Sequence, residues 1–394
     1  MPALSMLSRS ALPSFINFTV RRWLVLGYLV LLTGLFWLPS GSAYTKAFYA
    51  FIALPALLGL VMTPKRLGDL LREPLVLAVL ALSAWLLTSL FWSGTDDDLG
   101  GLAKRPLYLL LFIVACCMII MESRELLLGA LRAAAVVATI AALVNLVTFF
   151  IEPPVDGRLT GLAALRNALL TSHVLGMFCT YWVASWLSRD LARDWLPALM
   201  AIPLLIALLA TGSRTPLMAL TLVSFWMLLM TPQRAAMLVA AIVSIAAICL
   251  IAAPELLLQR GASFRPQIWA DALSQAQDHL WIGYGYDSTF IFSVEGLGYM
   301  RDPHNVELAV LLELGLVGLG LWLTMYGLAL LRCLRQRMDK GFQIASAMLV
   351  YGFAAGLTEG SSFLSRPNES WFLIWIPLAL IIALSIHQRN MERI

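Results

Sequence analysis

The chain has 394 residues, 60% of them hydrophobic and only 13% charged, with a mean hydropathy of +0.84. Globular domains carry about a quarter charged residues, so a water-soluble globule is excluded and a single integral membrane domain, 1–394, is expected. The net charge of +4 is scattered over many short loops rather than clustered, which excludes a nucleic-acid-binding surface.

The first apolar stretch, Trp23 to Leu38, ends in Pro39-Ser40-Gly41-Ser42-Ala43, a faint likeness to a signal-peptidase site. Its apolar run is long and its leader extended, so it reads as an uncleaved first helix. A hydrocarbon core about 30 Å thick needs roughly 20 apolar residues per helix. On that measure spans are expected near 22–39, 45–63, 74–92, 105–121, 126–150, 168–188, 195–211, 215–231, 234–252, 305–332, 342–360 and 370–387, about twelve in all. The five cysteines (Cys116, Cys117, Cys179, Cys249 and Cys333) fall in or beside these runs. Without metal-ligand or disulfide spacing they read as small buried hydrophobes.

Loop charge sets the expected orientation. The N-terminus, alternate loops and C-terminus hold seventeen of the 27 basic residues, so both termini are expected in the cytoplasm. The other ten are Lys46, Lys104, Arg105, Arg158, Arg166, Arg214, Arg260, Arg265, Arg301 and Arg366, on the outer face. Arginine offers a planar, two-pronged fork for phosphate, so a ring of outer arginines suggests an anionic group held at the outer interface. Snorkelling side chains that anchor helix ends are the alternative account.

Asp96-Asp97-Asp98, in an outer loop, matches the loose Asp-X-Asp pattern of metal-dependent sugar transfer, but a short acidic run reads more simply as solvated. No metal is assigned. The turn Thr211-Gly212-Ser213-Arg214-Thr215-Pro216 puts Arg214 at a helix start, where the positive dipole end and free N–H groups suit a phosphate. A plain polar hairpin tip explains the same turn.

The segment 253–304 is read as one large outer loop between spans nine and ten. Within it Ile268, Trp269, Leu273, Ala276 and Leu280 recur at helical spacing, an amphipathic helix that would lie on the bilayer or cap the bundle. Pro266 fits a first turn, so Arg265 projects from the helix start. Trp281-Ile282-Gly283-Tyr284-Gly285-Tyr286-Asp287 follows as a glycine-rich aromatic segment, with Tyr284 and Tyr286 expected at the lipid interface. The loop ends in Arg301-Asp302-Pro303-His304-Asn305-Val306-Glu307, where a titratable histidine stands at the boundary between polar loop and apolar helix. Glu307 is one turn along and would orient the imidazole. Glu313 points to the opposite face and reads as a structural contact; His173, His279 and His387 have no comparable surroundings.

Three segments in order, Ser213-Arg214-Thr215, Arg265-Pro266-Gln267-Ile268-Trp269 and Pro303-His304-Asn305, with Gly283-Tyr284-Gly285 between the last two, resemble the O-antigen ligase and polymerase superfamily. The resemblance is sharp over about 205–320 and elsewhere rests on topology. It implies an all-α, multi-spanning glycosyltransferase of GT-C-like architecture in a bacterial inner membrane, with its active site on the periplasmic face. The implied donor is a glycan on undecaprenyl diphosphate, and the ligase acceptor is a sugar of lipid A-core. No cofactor, nucleotide sugar or metal is implied, and the anomeric carbon inverts. His304 maps onto the family's histidine, and Arg214 and Arg265 onto its diphosphate-binding arginines. Arg158, Arg166, Arg301, Asn305 and Glu307 are possible supporting residues.

The chemistry stands on its own terms. No ATP is present outside the inner membrane, so the leaving group must bring the energy, and arginines aimed at a diphosphate stabilise charge growing on its oxygens. A histidine with a reference pKa near 6.5 accepts the acceptor's proton as the bond forms. A polymerase, which extends one lipid-linked glycan with another, is the alternative within the superfamily. A lipid-linked oligosaccharide flippase is the alternative outside it, although mid-span charge is scarce and no internal repeat is present.

Overall fold

The computed structural model describes residues 18–189, 194–252, 264–294 and 298–392, without side chains over 245–252. Helices occur wherever the sequence is continuously apolar, because a segment facing lipid must satisfy every backbone N–H and C=O internally. In chain order they are α1 (Thr19–Phe36), α2 (Gly41–Met62), the short α3 (Lys65–Leu71), α4 (Pro74–Ser89), α5 (Leu99–Glu122) and α6 (Arg124–Ile151). Then come α7 (Ala168–Leu187), α8 (Leu196–Ala210), α9 (Thr215–Met230) and α10 (Pro232–Ala252). After the long loop follow α12 (Val306–Arg335), α13 (Lys340–Gly356) and α14 (Trp375–Met391).

A helix coincides with each of the twelve apolar runs. Six of those described, α1, α2, α5, α6, α7 and α12, are long and apolar enough to cross a membrane, and α4, α8 and α9 are shorter apolar helices. The chain is a helical, polytopic membrane protein. Helix starts carry the expected signals: Asn167, Asn305 and Asp339 accept hydrogen bonds from first-turn amides, and Pro74, Pro216 and Pro266 sit in first turns, where a missing N–H costs nothing. In the core, α7 packs on α8, α9 and α13, and α14 packs on α5.

The loop before α12 holds α11 (Arg265–Asp278) and a hairpin of β1 (Phe292–Val294) and β2 (Gly298–Met300), antiparallel with Ser293 opposite Tyr299. The hairpin is absent from the sequence reading. Its two inward residues, Phe292 and Val294, alternate with exposed Ser293, a period-two pattern too short to register against the surrounding aromatics. Helix α11 packs on α12 and so caps the bundle. Ile268, Ala272 and Ala276 are buried with Phe292, Val294, Leu311 and Leu312 in a small satellite core. The buried stripe therefore differs from the expected one: Leu273 and Leu280 are exposed, because α11 docks through its small residues.

Helix α12 is interrupted at Gly315, whose φ is +66°. The Trp281–Gly285 segment fills the break: Tyr284 N–H donates to Leu312 O at 2.9 Å and Gly285 N–H to Glu313 O at 2.9 Å, while Leu316 N–H donates to Leu280 O at 2.8 Å. Backbones meet so closely that a Cβ on Gly283 would lie 2.4 Å from Glu313 O, and one on Gly315 2.3 Å from Trp281 O. Only glycine fits at either position, and both have positive φ. Tyr286 is accordingly inside the protein and not at a lipid interface, whereas Tyr284 stays half-buried. Tyr286 is 2% exposed and its hydroxyl bonds Leu364 O and receives Arg105; the Tyr284 hydroxyl donates to Gln275 O at 3.0 Å.

Candidate active site

His304 is placed by its neighbours. Its backbone has φ +50°, a left-handed conformation uncommon for a residue with a side chain. The Asp302 carboxylate accepts from His304 N–H at 2.7 Å, the two-residue Asx turn that makes such a backbone tolerable. The Pro303 carbonyl accepts from the indole of Trp269 at 3.0 Å, which latches α11 to this turn. Asn305 caps α12 through Leu308 N–H at 2.9 Å while its amide donates to Leu357 O at 3.0 Å. The histidine loop is thereby tied both to α11 and to the segment that leaves α13.

That segment brings Glu359, which the sequence reading did not select. Glu359 is 5% exposed. Its Oε1 receives the guanidinium of Arg265, the first residue of α11. Oε1 also accepts from the Thr215 hydroxyl at 3.4 Å, and Oε2 lies 3.6 Å from His304 Nδ1. Burial opposes ionisation of Glu359, but the imidazole contact and the Arg265 charge outweigh it and hold the carboxyl below its usual range. The polar contact with Glu359 is in turn the chief cause that raises the His304 pKa. Burial lowers it less, the Asp302 charge, 3.8 Å away, raises it, and Arg265 opposes. One buried carboxylate therefore serves both an arginine and the titratable base. His173, on α7, is 4% exposed, finds no partner for Nε2 among the described residues, and stands within electrostatic range of Glu359.

His304, Glu359, Arg265 and Thr215 line a cavity of about 490 Å³ together with Arg158, Arg214 and Leu169. Arg214 occupies the cap position of α9, is exposed, and makes no ion pair among the described residues. Arg158 donates through Nε to Thr211 O at 2.8 Å, bracing the turn that carries Arg214. Of the residues expected from sequence, the cavity unites His304, Arg214, Arg265 and Arg158. Arg166 is exposed elsewhere, donating to Ala163 O at 3.0 Å, and Arg301 lines a neighbouring cavity. Glu307 does not line this cavity either; its Oε1 lies toward Gly356. Helical spacing fails there because His304 is off the helix in a left-handed turn, and the carboxylate beside the imidazole is that of Glu359.

Among the described residues no cluster of three or more metal-ligating side chains occurs. Asp98 caps α5 through Gly101 N–H at 2.7 Å, and Asp97 faces Arg105 at 3.6 Å.

A family profile described as O-antigen ligase matches residues 199–323. A protein of Pseudomonas aeruginosa named O-antigen ligase is 42% identical over 370 residues, covering 93% of this chain and 92% of that protein. The chain belongs to the O-antigen ligase family. Within the profile match lie Arg214, Arg265 and His304; Arg158 and Glu359 lie outside it and reach the cavity only through the fold.

Proposed function

We propose that this protein joins an O-antigen glycan, carried on undecaprenyl diphosphate, to a sugar of lipid A-core. The observation that carries the reading is the cavity itself: a base tied to a buried carboxylate, facing arginines that start two helices. Arg214, Arg265 and Arg158 would hold the donor diphosphate, the first at a helix N-terminus where free amides add to its charge. An acceptor hydroxyl attacks the anomeric carbon while the bond from that carbon to the phosphate oxygen breaks. The hydroxyl proton passes to His304, and the electron pair leaves with undecaprenyl diphosphate. Glu359 stabilises the imidazolium that forms, and the arginines stabilise the departing diphosphate. A single displacement of this kind inverts the anomeric centre and calls for no metal.

The reading extends to architecture: twelve crossings in a GT-C-like arrangement, both termini cytoplasmic, and the His304 cavity on the periplasmic face of the inner membrane. Support comes from the segregation of basic residues. Arg158, Arg214 and Arg265 gather at one end of α7, whereas Arg124, Arg132, Arg189 and Lys340 line a cavity at its other end.

The test is transfer by purified protein in detergent, with EDTA and without ATP, from undecaprenyl-diphosphate glycan to lipid A-core. Glycan-extended lipid formed by wild type and not by His304→Ala is the expected result. Lengthening of the donor glycan alone would make the protein a polymerase, and silence on both would return the flippase reading.

A further inference from the structure

The chain neighbours of His304 and Glu359 face a second cavity, of about 340 Å³, lined by Arg301, Pro303, Ser361 and Ser362. Segments 301–304 and 359–362 therefore form a wall with a chamber on each side, and His304 stands at its edge. The chambers differ in charge. The first is dominated by three arginines, with Glu359 committed to Arg265 and His304. The second is lined by four acidic side chains, of Asp96, Asp97, Asp287 and Glu313, against two arginines, Arg105 and Arg301.

Part of the second chamber's wall is cross-braced by polar contacts. Arg105 is bound by Asp287 at 2.9 Å and by the Tyr286 hydroxyl at 2.9 Å, and Glu313 accepts from Asp287 N–H at 2.6 Å. Other polar groups remain open. The hydroxyls of Thr289, Ser361 and Ser362 line the chamber, and no hydrogen bond from them occurs among the described residues. Phe290 contributes an apolar surface beside them.

With acidic side chains outnumbering arginines, this chamber suits a diphosphate less well than the arginine-dominated one does. It suits an uncharged polyol, whose hydroxyls donate to carboxylates and accept from serine and threonine, and whose C–H face packs on an aromatic ring. We infer that this second chamber binds the neutral acceptor sugar and presents its hydroxyl to His304 along the 301–304 wall. The inference rests on the reading of His304 as the base. It assigns the two substrates to chambers of different charge balance, with the proton acceptor between them.

Two variants test it. Thr289→Trp adds bulk to the lining of the chamber, and a double Ser361→Ala, Ser362→Ala variant removes open hydroxyls without adding bulk. The first measurement is binding of lipid-free core oligosaccharide to the full-length protein in detergent, followed by saturation-transfer NMR. Wild type and His304→Ala should bind, and Thr289→Trp should not. Equal binding by Thr289→Trp, or none by wild type, would overturn the assignment.

The second measurement is steady-state transfer. Loss of two hydrogen bonds should raise the KM for lipid A-core about tenfold in the double serine variant, with kcat and donor KM unchanged. Donor and acceptor KM rising together, or neither rising, would count against the chamber. Should the oligosaccharide bind as expected while wild type transfers no glycan, the ligase reading fails and the sugar site stands. Transfer by wild type with binding indifferent to Thr289→Trp gives the reverse.

Discussion

The two ends of α7 each open onto a cation-rich cavity, and they differ in what the cations are tied to. Near Ser188, Arg124 bonds Asp339, which also caps α13 through Gly341 N–H at 2.8 Å, and Arg189 pairs with Asp194. Each of these cations answers a carboxylate at a helix end. About 28 Å away, by the rise of a helix between residues 169 and 188, Arg265 answers a buried carboxylate that also holds a histidine. Positive charge is common to both ends. Coupling of that charge to a titratable base distinguishes the second.

If that coupling is the basis of function, the two ends should respond very differently to mutation. His304→Ala should lower the rate of glycan transfer by about 10²–10⁴-fold, the usual scale of a lost general base, with the protein still monodisperse on gel filtration. Arg265→Ala should lower it by about 10²–10³-fold, as removal of a charge-stabilising donor does, and Arg265→Lys should restore part of the activity. Near-normal turnover in Arg265→Ala would remove the α11 arginine from the site.

Glu359→Gln should act through pH. With His304 raised by Glu359, wild-type activity is present above that raised pKa and lost as pH falls through it. A neutral amide no longer stabilises the imidazolium, so the acid limb of the kcat profile should move to lower pH. An unmoved limb would mean that Glu359 positions Arg265 alone. The smallest effect is expected at the other end of α7: Arg132→Ala should stay within about twofold of wild type, as exposed charges contribute little. A large loss there would dissolve the contrast between the ends.

Much of the site was legible because it consists of local signals. Pro266 after Arg265, Pro216 after Arg214, and Asp-Pro-His-Asn before an apolar run each mark a chain turning into a helix. Side chains at such positions stand at the rim of the bundle. Glu359 carried no signal of this kind: Thr-Glu-Gly after an apolar helix reads as an ordinary helix exit. Its importance arises from Arg265, 94 positions away. Tyr286 was misjudged because nothing local announces that its segment fills a break in α12.

By itself the sequence determined the helices and the arginine-bearing turns, since apolar runs, prolines and capping residues act over a few positions. It also carried the family motif in order. Only the tertiary structure decided which arginines share a cavity with His304, which carboxylate raises its pKa, and where the glycine segment docks. Those are contacts between residues far apart in the chain, fixed by how whole helices pack, and no local pattern encodes them.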